Sequence, residues 1–306
     1  MKQIIPIILF MIICVGTSFS ANRDLPTVSK GKIIRLSNFE SRFIESRNID
    51  VWLPENYNPR KRYSVVYMHD GQMLFDSTKT WNRQEWGVDE TVSRLIESKK
   101  IKDCIIVGVW NIPQLRYAEY FPQRVIDSLD KSQRDLILSK QFKTEPKADD
   151  YLMFLVYELK PYIDSHFSTY KNQSHTFIMG SSMGGLISLY ALCEYPTIFG
   201  GAACLSMHSI MVSYELIDEK LIDNVTSVFR SYLKSKLPKA NRHKIYIDYG
   251  DKTLDAYYKP YQLKIDQVIR QRGFKPQFWQ TREFLGEDHS ENAWKRRLNI
   301  PLEFLL

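Results

Sequence analysis

The sequence predicts an α/β protein with a mostly parallel central sheet and helices on both faces. Three observations carry this. Short apolar, β-branched runs alternate with stretches whose apolar residues recur at helical spacing. No repeat, low-complexity segment or Gly/Ser/Pro-rich linker divides them, so residues 21–306 read as a single domain, and at 306 residues and 44% hydrophobic the chain can bury a large core. Midway, a short apolar run leads into Gly180-Ser181-Ser182-Met183-Gly184 and then into a helical pattern, the strand–turn–helix context in which a serine is presented above a sheet.

The first residues stand outside that core. Lys2 supplies a positive start, 4–15 is an apolar run, and Ser18 and Ser20 are small residues where a signal peptidase reads. Residues 1–20 are therefore expected to be an export signal cut after Ser20. About a dozen apolar residues are too few to span a bilayer, and the bulky Ile13 before Cys14 disfavours a lipid-modified cysteine. No later stretch is long enough to cross a membrane, so the mature chain is expected to be exported, periplasmic or extracellular, and without a membrane span.

Segments 33–39 and 46–53 alternate polar and apolar residues, as antiparallel edge strands do. Strand-like runs then precede helical ones: 64–68 before 88–99, 104–110 before 151–167, 175–179 before 186–192, 201–205 before 213–233, 244–249 before 257–272, and 277–283 before 291–304. Such alternation builds a parallel sheet covered on both faces. One interval breaks the rhythm. Residues 111–150 insert roughly forty positions between a strand and its helix, far beyond the usual loop. Because such loops overlook the carboxyl ends of the strands, 111–150 is expected to form a cap that shapes a substrate pocket.

The net charge of +7 and pI near 9.0 raise the question of anionic partners. The basic residues are scattered, and the clusters 60–62 and 295–297 lie in no nucleic-acid module, so a solvated basic surface is expected and no nucleic-acid partner. Cys104, Cys193 and Cys204 each sit in an apolar run, are odd in number and lack metal-ligand spacing. They read as small buried hydrophobes rather than disulfides or metal ligands.

Gly180 and Gly184 let strand and helix approach closely around a strained Ser182, and the Met183 amide lies at a helix N-terminus, suited to developing negative charge. A serine nucleophile needs a base oriented by a carboxylate, in the chain order serine, acid, histidine. Three histidines follow Ser182. His289 stands in a polar turn between the last strand and the last helix, where the base belongs; His208 could line the site, and His243 precedes its strand at the far end of the sheet. The turn after 244–249 offers Asp251 and Asp255, and Asp255 is preferred because an aspartate directly after Gly250 more often caps a turn. The loop 69–76 should supply a second oxyanion donor, with Gln72 as the donor residue. His69 and Asp70 are adjacent and point to different sides, which disfavours a metal site.

Several stretches together resemble the Putative esterase family of α/β-hydrolases, which spans esterase D, enterochelin-esterase-like proteins, feruloyl and acetyl-xylan esterases, and mycolyltransferases. They are 67–76, 107–111, Arg116 with 119–122, 148–151, 158–164, the Ser182 turn, 248–250 and 288–289. The resemblance implies an α/β-hydrolase fold, a Ser182–His289–Asp triad and no cofactor. It also implies an ester substrate, small or carbohydrate-linked, with Asn111, Arg116 and Tyr120 facing it. The alternatives within this reading are acyl transfer to a sugar, a catalytically silent binding protein, and a loop-anchoring role for Arg116 and Glu119.

Overall fold

A computed structural model describes residues 25–306, so the expected export signal lies outside the described residues. Eight strands are present: β1 (Lys32–Phe39), β2 (Arg47–Leu53), β3 (Ser64–His69), β4 (Cys104–Val109), β5 (Thr176–Ser181), β6 (Gly201–Leu205), β7 (Lys244–Gly250) and β8 (Trp279–Phe284). They form one sheet in the order β1-β2-β4-β3-β5-β6-β7-β8. β1 pairs antiparallel with β2, and β2 antiparallel with β4, as their alternating patterns predict; β4 through β8 run parallel.

The parallel strands are buried on both faces, which is why they read as continuous apolar runs. Along β3, Val65 and Tyr67 enter one core while Val66 and Met68 enter the other. The first core holds the helices Met183–Glu194, Glu219–Lys236 and Lys259–Gln271 together with the helical run 148–166. The second holds Val88–Glu97 and the C-terminal pair Glu291–Arg297 and Asn299–Leu305. Each large apolar side chain so buried stabilises the fold by about 1.5–3 kcal/mol.

Three expectations need correction. The helix expected over 213–233 begins at Glu219, because Asp218 caps it by accepting the Leu221 amide. The C-terminal helix is broken at Leu298, where Pro301 brings no N–H to the ladder. The run 148–166 widens into a π-turn over Phe154–Leu159 just before Pro161, a proline again withdrawing a donor. The interval 111–150 is not a bare loop: it carries the short helices Arg116–Tyr120, Gln123–Asp127 and Lys131–Ile137, and it buries Val125, Ile126, Ile137 and Phe142 in the first core.

Cys104, Cys193 and Cys204 are free and buried. Among the described residues, no helix is long and apolar enough to cross a membrane, and no group of three or more His, Cys, Asp or Glu side chains is arranged to hold a metal ion.

Candidate active site

The carboxyl ends of the parallel strands gather the polar residues, as open α/β sheets do. Asp70 follows β3, Asn111 follows β4, Ser182 follows β5, Ser206 follows β6, Asp251 and Asp255 follow β7, and His289 follows β8.

Ser182 has φ 56° and ψ −122°, left-handed backbone that a non-glycine residue adopts at a cost of about 1–3 kcal/mol. The surroundings over-determine this conformation. Its N–H donates to Leu205 O at 3.0 Å, and its carbonyl accepts from His208 N and Gly185 N. A Cβ on Gly180 would sit 2.9 Å from the Gly184 carbonyl carbon, so only glycine permits this strand-to-helix approach. The Met183 amide is the first of its helix and has no intrahelical acceptor.

His289 and Asp255 are brought together across 34 positions, with His289 Nδ1 2.5 Å from Asp255 Oδ1. Burial alone would raise the Asp255 carboxyl; hydrogen bonds from His289, Ser206 and the Gly250 amide outweigh it and hold the group below its ordinary value. An ionised carboxylate only accepts, so the proton lies on His289 Nδ1 and Nε2 is left as an acceptor. Asp251 lies apart, accepting the Gly286 amide at 2.7 Å and closing the turn. His208 is buried, bonded to Tyr258 OH and Val212 O at 2.8 Å each, and pushed by burial down to about 3. His243 meets Gln173 and Pro196 O at the other end of the sheet.

Ser182 and His289 line one cleft of about 740 Å³, shared with Asp70, Gln72, Asn111, Arg116 and Trp81. Gly71, between Asp70 and Gln72, packs so closely on β4 that a Cβ would lie 2.5 Å from the Gly108 carbonyl carbon. This contact sets the loop's height beside Ser182.

The Putative esterase profile matches residues 41–302, nearly the whole described chain. The chain belongs to the Putative esterase family. Curated relatives include two uncharacterised proteins of Bacillus subtilis (strain 168). YjcH is 25% identical and YbbA 23%, each over 163 residues that make up 53% of this chain and 56% of the relative. The chain thus spans about half the length of these relatives.

Similar solved structures include a ferulic acid esterase at 19% identity and TM-score 0.61, covering 90% of this chain and 98% of that one. A second ferulic acid esterase, from Anaeromyces mucronatus, is 16% identical with TM-score 0.58, covering 93% and 94%. The enterochelin esterase of Shigella flexneri is 17% identical with TM-score 0.61, covering 92% and 59%. The family match and these likenesses establish the α/β-hydrolase fold.

Within this esterase-family fold, the residues expected to face a substrate divide. Arg116 reaches the cleft but spends two donors on Asp70, Nε to Oδ1 and Nη2 to Oδ2 at 2.8 Å each, while Asn111 Nδ2 reaches Asp70 Oδ1 at 2.6 Å. Burial would raise Asp70; the Arg116 charge and these hydrogen bonds hold it below its ordinary value. Tyr120 lies elsewhere. It is 0% exposed, with Arg116 stacked over its ring at 5.3 Å, so it supports Arg116 from beneath rather than lining the cleft. Glu119 is fully committed to a buried bidentate pair with Arg47. Gln72 accepts the Asn111 amide through its side chain, leaving its backbone N–H as the group to consider beside Ser182.

Sequence reasoning gave Asp70 no role beyond a disfavoured metal site and Asp248 none beyond the resembling stretch 248–250, and it missed Ser206, Arg297 and Trp81. Trp81 is 85% exposed on the cleft rim. A large apolar side chain in a polar loop is the one local signal that could have flagged it. Ser206 and Arg297 have none, since the partners of Ser206, Arg297 among them, lie 42 to 91 positions away.

Proposed function

We propose that the protein is a serine esterase that cleaves carboxylic esters through an acyl-enzyme. The observation carrying this reading is the Asp255–His289 pair opening onto the same cleft as a serine in strained, left-handed backbone.

Ser182 Oγ attacks the ester carbonyl carbon while His289 Nε2 takes its proton, and Asp255 stabilises the imidazolium that forms. The backbone N–H groups of Met183 and Gln72 receive the oxyanion. Collapse of the tetrahedral intermediate breaks the ester C–O bond, and His289 returns the proton to the leaving alcohol. Water, activated by the same histidine, then attacks the acyl carbonyl and frees Ser182.

The remainder of the cleft is wide and open, with aromatic Trp81, Trp86 and Trp294 and the amides of Asn82 and Gln84. It suits an ester bearing a ring-shaped group, such as an acylated sugar or a siderophore ester, and residues 111–116 close one wall as the edge of a cap. Arg116 and Asn111 hold that wall through Asp70. With the sequence of residues 1–20, the proposed place of action is outside the cytoplasm.

The test is a panel of acetylated and feruloylated sugars, siderophore esters and small aryl acetates, run with and without a sugar acceptor. Hydrolysis by the wild type and loss of it in folded Ser182→Ala is the expected result. Equal turnover by both proteins would refute the assignment, and sugar-dependent ester formation would replace hydrolysis with transfer.

A further inference from the structure

Behind the triad acid lies a buried chain of polar contacts, of which only His289 and Trp294 line the cleft. Asp255 Oδ1 serves His289; Asp255 Oδ2 accepts the Ser206 hydroxyl at 2.5 Å and the Gly250 amide at 2.6 Å. Ser206 Oγ in turn receives two N–H donors, Trp294 Nε1 and Arg297 Nη2, each at 2.9 Å. A hydroxyl has two lone pairs and one proton. With both lone pairs occupied, its proton can go only to Asp255.

Arg297 is 3% exposed and is held by Asp248 Oδ1 at 3.0 Å, while its Nε and Nη1 are buried without a hydrogen-bond partner. Asp248 also accepts the Ser206 amide and the Tyr246 hydroxyl. Ser206 itself sits at φ 40°, in left-handed backbone that serine seldom adopts. A strained serine and an incompletely paired buried guanidinium are expensive, and both converge on the carboxylate oxygen that His289 does not use.

We propose, resting on the serine-esterase reading, that Ser206 and Arg297 are positioning residues: Arg297 fixes the Ser206 hydroxyl, which fixes the Asp255 carboxylate against His289 and draws charge away from it. The consequence is an Asp255 carboxylate held in one orientation and relieved of part of its charge by the Ser206 hydroxyl. Other ionisable groups around the pair are already spoken for. His208 and Tyr258 are buried and neutral; Arg116 is matched by Asp70; Glu287 is matched by Arg296 and lies 3.9 Å from Arg297 Nη1; Asp251 is matched by Lys252, and Asp288 is capped by Ser290. Among the described residues, Arg297 is thus the cation that reaches Asp255 through one bonded contact.

The test measures kcat, KM and the pH profile of kcat/KM on a small aryl acetate, with melting temperature alongside. Ser206→Ala should lower kcat about tenfold at unchanged KM, the loss of one charge-assisted contact in the transition state. It should also move the acid limb of the profile upward by about half a unit or more, because Asp255 loses the hydrogen bond that draws off part of its charge. Ser206→Gly, which suits the backbone at φ 40°, should do the same and serves if alanine impairs folding. Arg297→Gln should move the limb in the same direction, whereas Arg297→Lys, which keeps the charge, should leave it near the wild-type position. Folded Ser206 variants with wild-type kcat and an unmoved limb would overturn the proposal, as would a lowered melting temperature with no movement of the limb. A wild type that hydrolyses no ester, or an active Ser182→Ala, would instead overturn the esterase reading on which it rests.

Discussion

Removing Arg116 separates an anchoring from a substrate-binding role. Its guanidinium and the Asp70 carboxylate make two hydrogen bonds at 2.8 Å, with side-chain exposures of 23% and 9%. Truncation leaves Asp70 a mostly buried anion with only Asn111 to satisfy it. Breaking a buried pair from one side costs about 3–5 kcal/mol. The partial exposure of Arg116 places the cost at the lower end, about 3 kcal/mol. For a protein of this size, each kcal/mol shifts the melting temperature by about 2 °C, so Arg116→Ala should melt about 6 °C lower. The loop bearing Gln72 keeps its two contacts with Asn111 but loses the bidentate clamp to Arg116. Turnover of a small aryl acetate and of a bulky feruloyl ester should therefore fall together, by about tenfold or more. A double-mutant cycle with Asp70→Asn should return a coupling of about 1–3 kcal/mol. Because Asp70 is held below its ordinary value, this contribution is present above the usual carboxylate range and disappears as pH falls through the lowered value. An Arg116→Ala protein with wild-type melting temperature, impaired only on the bulky ester, would refute the anchoring argument.

Asp255→Asn should reduce turnover by orders of magnitude while Asp251→Asn changes it little, since Asp255 alone of the two meets His289; rate measurements giving the reverse order would exchange their roles. Trp81→Ala should raise KM for ring-bearing esters several-fold and leave a small aryl acetate untouched, because Trp81 stands at the rim rather than beside Ser182; equal effects on both esters would remove it from the binding surface. His69 and His208 are both fully buried and pushed by burial from 6.5 to about 3. Below pH 6.5 the unfolded chain takes up protons that the folded one refuses, so stability falls as pH drops toward 3. At about 1.4 kcal/mol per unit, the two groups together withdraw on the order of 5 kcal/mol by pH 4.5, a large share of a domain's stability. Denaturant melts at pH 7 and pH 4.5 should show this loss, and a flat profile would contradict the buried neutral state.

Much of the architecture is legible in the sequence because it is written locally. The apolar runs of β3 to β7 carry their own burial on both faces, and the glycines flanking Ser182 announce a close turn before any partner is known. His289 and Asp255 could be singled out by strand order alone. What stayed hidden depends on pairings between distant segments. Arg116 looks equally fit to hold a substrate or a carboxylate until Asp70, 46 positions earlier, is seen beside it. Tyr120 falls on the buried face of a five-residue helix, too short for periodicity to declare a direction. The same shortness made 111–150 look like a loop. Ser206 and Arg297 meet across 91 positions, and nothing in either neighbourhood points to the other.

The central claim is that Ser182 is an activated nucleophile, and its most direct test is covalent. The intact protein is treated with a fluorophosphonate at neutral pH, digested, and the adduct located by mass spectrometry. The account predicts a single phosphonylated site at Ser182, its formation slowed by orders of magnitude in His289→Ala and absent in Ser182→Ala. No adduct on the folded wild type, or an adduct that persists in Ser182→Ala, would contradict it.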